Sequence, residues 1–244
     1  MTSIPSISVD QMKTIDKITV ENFGLSIEMM MEHASRAIFK LASEMLGALK
    51  NKKIIILCGK GNNGGDGIGS ARFFKNAGAN TIVIISSSPA ELSIDSKKQH
   101  DIAHNMFIPI YSTNTISTKE VQDLIQNSDL IIDALIGYNL RGNPKEPISS
   151  LIRRANESKI PILAVDIPSG LTGNKGKPSN PTIKATSTVT LGLPKKGLYK
   201  ESAKKFVGEL YLGDLSIPMQ AYKEIGVSTN NIFHEKSLIK IHNE

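Results

Sequence analysis

The chain has 244 residues, enough for one α/β domain or two small ones, with a hydrophobic share (40%) that supports a buried core. The single cysteine, Cys58, excludes an internal disulfide and points to a reducing, cytoplasmic compartment. A net charge of +6 suits an anionic ligand, but the absence of Trp, of a Cys/His finger and of an aromatic RNA platform argues against nucleic acid.

Met1 to Ser8 carry neither the basic patch nor the apolar core of a secretory signal. Asp10, Asp16 and Glu21 precede the first Arg, unlike a mitochondrial presequence. No apolar run approaches the roughly 18 residues of a membrane span, so no membrane partner is expected. Ser8-Val9-Asp10-Gln11 reads as a capping box opening a helix through Val20, ended by Asn22-Phe23-Gly24. A longer helix follows, with Ile27, Met30, Met31, Ala34, Ile38, Leu41, Met45 and Leu49 on one stripe; its methionines read as core filling.

Strand-like runs then recur at Lys53–Cys58, Thr81–Ile85, Phe107–Tyr111, Leu130–Asp133, Ile160–Val165, Thr186–Leu191 and Glu209–Leu212. Helical patterns separate the first five, beginning near Asp66, near Asp95, at the capping box Ser117-Thr118-Lys119-Glu120 and at Pro147. Near-continuous apolar strands alternating with helices predict a mostly parallel central sheet covered on both faces. Thr172–Thr182, rich in Gly, Asn, Lys and Pro, is expected to be a mobile loop. The lysines at 195, 196, 200, 204 and 205 read as a solvated face, and the last twenty residues show no pattern.

A sheet of this kind binds ligands at the carboxyl edge of its strands. Three polar clusters fall there: the turn Gly59–Gly67, the stretch Asp133–Asn143 and the loop Asp166-Ile167-Pro168-Ser169-Gly170. Gly59, Gly61 and Gly64 satisfy G-x-G-x-x-G after a strand and before a helix. The second strand, however, ends in Ser86-Ser87-Ser88-Pro89, with no carboxylate for a ribose, which disfavours the standard hydride-transferring layout. Gly59-Lys60-Gly61 also breaks the Walker pattern, which disfavours phosphoryl transfer. Asn62 and Asn63 suit either a tight turn or a ligand, and Asp66 either a helix cap or a ligand. Asn63, Asp133 and Ser169 offer hard oxygen donors. Asp133 ends an apolar run and requires a cationic answer, from a metal ion, Arg141 or a lysine. Asp166 is placed for a ribose hydroxyl, for acid–base work or for a plain Asx turn. His33, His100, His104, His234 and His242 form no metal spacing.

These clusters together resemble the NAD(P)HX epimerase family, also called the YjeF N-terminal domain family. The likeness rests on Gly61-Asn62-Asn63-Gly64-Gly65-Asp66-Gly67, Asp133-Ala134-Leu135-Ile136-Gly137, Asp166-Ile167-Pro168-Ser169-Gly170 and Thr190-Leu191-Gly192-Leu193-Pro194-Lys195. Gln11-Met12 through Met31-Glu32-His33-Ala34 is similar to the family's opening helices, so the resemblance runs in order from about residue 8 to about 215.

The resemblance implies a three-layer αβα, Rossmann-like sandwich over residues 1–244: opening helices at 8–49, a motif-bearing core at 52–215 and a tail at 216–244. It implies an epimerase interconverting the R and S forms of hydrated NADH and NADPH, with a non-catalytic nucleotide- or protein-binding scaffold as the alternative. Substrate contacts would come from Asn62, Asn63, Gly64, Gly65, Asp66, Gly137, Tyr138, Asn139, Leu140, Arg141, Gly142, Asn143 and Asp166. A potassium ion would sit on Asn63, Asp133 and Ser169 with backbone oxygens. Asp166 is the first candidate for the acid or base, and Lys195 the second. Two departures stand out: Ser35 where the family often has glycine, and Tyr138-Asn139-Leu140-Arg141 in place of the commoner Thr-Gly start. The resemblance further implies a companion ADP- or ATP-dependent dehydratase on a separate chain, and together with the apolar opening helix it suggests a homodimer.

Overall fold

The structure, a computed structural model, describes residues 4–229 and 232–241, so His242 lies outside the described residues. The capping box forms as the sequence predicts: Ser8 accepts from Gln11 N, and the Gln11 side chain accepts from Ser8 N. It starts α1 (Val9–Phe23), which runs through Asn22-Phe23 and closes at Gly24 in the left-handed region, φ 71°. Helix α2 (Ile27–Leu46) stops at Gly47, one turn short of Leu49.

The core alternates β1 (Lys53–Cys58), α3 (Asn62–Asn76), β2 (Asn80–Ile85), α4 (Ile94–Asn105), β3 (Ile110–Ser112), α5 (Thr118–Gln126), β4 (Leu130–Ala134), α6 (Ile148–Glu157) and β5 (Ile162–Val165). Then come β6 (Ser187–Leu191), α7 (Lys204–Val207), β7 (Glu209–Gly213), α8 (Met219–Lys223) and β8 (Leu238–Ile241). The strands form one sheet in the order β3-β2-β1-β4-β5-β6-β7-β8, parallel except for β8, which runs antiparallel to β7. This is the three-layer, mostly parallel architecture expected.

Alternation along the central strands builds the two outer layers. Ile54, Ile56 and Cys58 face the side covered by α2, α3 and α4, while Ile55 and Leu57 face α5 and α6. Each such aliphatic side chain, fully buried, is worth about 1.5–3 kcal/mol. Cys58 is a buried free thiol.

Four expectations are corrected. Helix α3 begins at Asn62, so Asp66 lies in its second turn and does not cap it. Glycine permits the early start: a Cβ on Gly64 would stand 1.9 Å from the Gly59 carbonyl oxygen. The third strand spans Ile110–Ser112, because Phe107 takes a positive φ of 56° and stays exposed. The featureless C-terminal stretch contains β8. The Thr172–Thr182 loop is cross-tied: Thr172 N donates to Lys177 O (3.1 Å), Gly176 N to Thr172 O (2.8 Å) and Ser179 N to Gly170 O (2.8 Å).

The order places β1, β4, β5 and β6 side by side, so the three polar clusters leave the sheet at one edge. Strand β1 lies between β2 and β4, where successive crossovers diverge, and a crevice opens at such a point.

Candidate active site

A cavity of about 530 Å³ opens at this edge. Asn62, Asn63, Asp66, Gly137, Tyr138, Asn139, Asp166 and Lys195 line it, so the expected clusters meet there. Other predicted contact residues do not reach the wall. Gly64 and Gly65 lie buried in the first turn of α3. Leu140 and Arg141 belong to the strand-exit loop away from the wall, and Arg141 is exposed. Gly142 O accepts from Ser179 Oγ (3.2 Å) and Asn143 Oδ1 from Asn180 N (3.1 Å), which ties that end of the loop to the neighbouring one. Met30 and Met31 of α2, read from sequence as core filling, are core residues that also form the apolar wall.

Asp166 and Lys195 pair at the cavity wall. Lys195 Nζ donates to Asp166 Oδ1 at 2.5 Å and to Leu191 O at 2.9 Å. Lys195 is only 1% exposed and Asp166 4%, so Lys195 leaves the solvated face to which its sequence neighbours belong. Exposed Lys196, Lys200, Lys204 and Lys205 keep that reading. A buried ion pair is costly to desolvate and is kept where geometry and further hydrogen bonds compensate. Here Leu191 N also reaches Asp166 Oδ1 (3.4 Å).

Backbone strain aims the carboxylate. Asp166 has φ 64°, and Ile167 N donates to Val165 O across it (2.8 Å), closing a three-residue turn of the rare, strained kind. The Asx-turn alternative is therefore not what forms.

Two more carboxylates face the same lysine. Burial raises Asp66 well above the usual carboxylate range, and the negative charges of Asp166 and Asp16 add to the effect while Lys195 opposes it. Asp16, on α1, is raised chiefly by burial, against a hydrogen bond from Tyr138 and the charge of Lys195. Tyr138 Oη–H donates to Asp16 Oδ2 at 2.7 Å. Sequence reading did not single out Asp16 for the site. Its only local signal is its place four residues after cavity-lining Met12 on the buried side of α1.

Asp133 sits beneath the cavity, fully buried. Ser169 Oγ (2.6 Å) and Leu135 N (3.3 Å) donate to its Oδ1, and Ser169 N (2.8 Å) to its Oδ2. Burial pushes its carboxyl up to about 6, against these hydrogen bonds from Ser169 and Leu135. Among the described residues neither Arg141 nor any lysine pairs with it. Nearby, Ile136 N donates to Ser169 Oγ (2.8 Å), and a Cβ on Gly137 would stand 3.1 Å from Asn63 Oδ1. The Asn63 side-chain nitrogen is buried without a hydrogen-bond partner among the described residues. Amide oxygen and nitrogen exchange by a half-turn, so this position can equally present an oxygen. No group of three His, Cys, Asp or Glu side chains is set to hold a metal among the described residues. The donors here are amide, hydroxyl, carboxylate and backbone oxygens, which suit a hard cation.

The third element is the α3 N-terminus. Gly61 caps it in extended backbone without a side-chain hydrogen bond, so α3 starts at the cavity with no side chain covering its first amides, an arrangement that suits an anion. Ser93 Oγ donates to Asn62 Oδ1 (3.1 Å) and fixes that side chain.

The sequence pattern of the YjeF-related protein N-terminus family matches residues 27–197. The chain belongs to that family. Curated relatives agree: a protein of Lentilactobacillus buchneri named NAD(P)H-hydrate epimerase is 32% identical over 87% of this chain and 94% of its own length. One of Rhodopirellula baltica with the same name is 28% identical over 92% of this chain and 89% of its own. A Salinibacter ruber protein named bifunctional NAD(P)H-hydrate repair enzyme Nnr is 31% identical over 88% of this chain, which spans 41% of that longer protein. The crystal structure of the yeast protein ynu0, YNL200c, superposes with a TM-score of 0.82 over 98% of this chain and 100% of its own, at 23% identity, and so shares the fold. The family-matched segment begins with α2; α1 and Asp16 precede it. Buried Ser35 donates to the Asp66 carbonyl oxygen (3.0 Å) and so joins α2 to α3.

Proposed function

We propose that the protein is an epimerase that interconverts the R and S forms of hydrated NADH and NADPH. The observation that carries this reading is the buried Asp166–Lys195 pair on the wall of a cavity of about 530 Å³ that also takes in Gly61, Asn62 and Asn63 at a helix N-terminus, which suits the substrate's phosphates. Names of relatives that this chain nearly spans support it.

In the hydrate, C6 of the nicotinamide ring carries a hydroxyl beside the ring nitrogen. Loss of that oxygen as water leaves a cation shared with the nitrogen. Water then returns to the opposite face, and one proton is released for the one consumed. The Asp166–Lys195 pair supplies the proton that leaves with the first water and takes one back from the second: Asp166 exchanges it with substrate or water, and Lys195, bonded to that carboxylate, resupplies Asp166 and is reprotonated when the second water adds. Met30 and Met31 keep the wall apolar, which strengthens the pair's field on the developing cation.

Potassium fits the donors beneath the cavity: Asn63, Asp133 and Ser169 with backbone oxygens would hold it. It would supply a fixed positive charge that steadies the loops and the substrate's ribose or phosphate. The S epimer would pass to an ADP- or ATP-dependent dehydratase on a separate chain, in the cytoplasm. Exposed Val20, Phe23 and Met29 support a homodimer.

The deciding experiment incubates synthetic R epimer with the protein and separates the epimers by chromatography. Interconversion above the spontaneous rate is expected, and Asp166→Ala should lower it by about 10²–10⁴-fold while leaving the circular dichroism unchanged. A wild-type protein that leaves the R epimer at its spontaneous rate overturns the reading.

A further inference from the structure

The segment ahead of the family-matched region reaches the Asp166–Lys195 pair twice. At the backbone, Ile7 N donates to Pro194 O and Lys196 N donates to Ile7 O, both at 2.9 Å, so a parallel bridge brackets Lys195. At the side chains, Asp16 accepts a hydrogen bond from the Tyr138 hydroxyl, across 122 residues of sequence. The Tyr138 ring in turn stands 5.7 Å, centroid to Nζ, from the Lys195 ammonium, within cation–π range. Val9 N also donates to Asn174 Oδ1 (2.7 Å), which seats the start of α1 on the loop after β5.

An acid on a helix face gains nothing from losing water unless a specific contact compensates. Among the described residues the Asp16 side chain makes one hydrogen bond, from the Tyr138 hydroxyl. The Tyr138 hydroxyl makes no other among the described residues; its ring stands over the lysine, and its hydroxyl is anchored from α1. The ring's position thus depends on a residue that never touches the lysine by hydrogen bond.

We propose that Asp16 is a positioning residue: it holds Tyr138 over Lys195, and so keeps the Asp166–Lys195 pair covered and correctly aimed. Its kinetic consequence rests on the epimerase reading; its effect on the burial of Lys195 does not.

The test compares wild type with Asp16→Ala, Asp16→Asn, Tyr138→Phe and the Asp16→Ala/Tyr138→Phe double variant. The first readout needs no turnover: acetylation by acetic anhydride, mapped lysine by lysine by mass spectrometry, with exposed Lys240 as the internal standard. Acetylation of Lys195 should rise about tenfold in Asp16→Ala and in Tyr138→Phe, the order that loss of one charge-assisted hydrogen bond permits. The double variant should rise no further, since both changes break one link. Asp16→Asn should recover most of the protection, because its amide oxygen still accepts from the phenol. The second readout is turnover: kcat should fall about tenfold, by more than KM changes, since Asp16 and Tyr138 also line the cavity.

Unchanged Lys195 acetylation in Tyr138→Phe, which keeps the ring and removes only the hydroxyl, overturns the proposal even if Asp16→Ala fails to fold. Effects that multiply in the double variant overturn it too. The predicted acetylation pattern in a protein without epimerase activity upholds the positioning role and sinks the epimerase reading alone.

Discussion

Asp66, Asp166 and Asp16 share one lysine, and the resulting competition has a measurable sign. Asp66 is raised by burial first and by its acidic neighbours second. A carboxyl whose folded value exceeds its unfolded value binds more protons folded than unfolded, so the fold loses stability as pH rises from the ordinary carboxylate range through the raised value. Asp66→Asn removes that loss. Urea unfolding at pH 5 and pH 8 should show the variant gaining on wild type as pH rises, with Asp16, Asp166 and Lys195 unchanged in both proteins. A constant difference at the two pH values would mean that Asp66 is ionised at little cost.

At the same scale, the legible residues are those beside strand ends: Asp133 and Asp166 each close an apolar run, and Asn63 stands in the glycine-rich turn that follows one. Asp16 was illegible because its partner stands on a distant loop, and helical spacing does not announce such a partner. The burial of Lys195 was illegible too, since a lysine before Lys196 and Lys200 reads as surface until Ile7 is seen to cover its backbone.

At the scale of elements, α3 carries the greatest constraint. It must start at the rim of the cavity and pack immediately on the sheet. A Cβ on Gly67 would meet the Ala134 Cβ at 2.5 Å, with Cys58 Sγ and Ile56 Cγ2 both at 3.2 Å. Gly→Ala inside a helix ordinarily gains about 1 kcal/mol from propensity. Here the contact with β4 and β1 opposes it, and overpacking costs about 1–3 kcal/mol. Gly67→Ala should therefore come out neutral to destabilised by up to about 2 kcal/mol in urea. A gain near the full propensity value would show that α3 can lift from the sheet without cost.

The elements differed in legibility for similar reasons. Strands β1 and β4 are buried on both faces and stand out by the apolar runs Ile54–Cys58 and Leu130–Ile132, whereas β6, equally buried, stands out by its β-branched Thr and Val. Strand β8 is a four-residue antiparallel edge with exposed Lys240 inside it, too short and too mixed to stand out. In the third strand, Pro109 and the positive φ of Phe107 turn the first half of an apolar run into a loop.

For the molecule as a whole, the outstanding cost is Asp133, a carboxylate at the centre of the sheet whose partners are all neutral donors. Hydrogen bonds of this kind return part of the lost hydration, and a bound cation would return more. A ligand that binds only the folded state stabilises it in proportion to the logarithm of its concentration, about 2.7 kcal/mol at a hundred times its dissociation constant. The potassium reading therefore predicts that the urea midpoint rises with added potassium chloride. It should not rise with choline chloride at equal ionic strength, where general screening is the same. Asp133→Asn keeps an acceptor for Ser169 and removes the charge, so its midpoint should be insensitive to the choice of cation. Superposable wild-type curves in the two salts would leave the carboxylate to its hydrogen bonds alone and strike potassium from the site, while the Asp166–Lys195 chemistry would stand on its own.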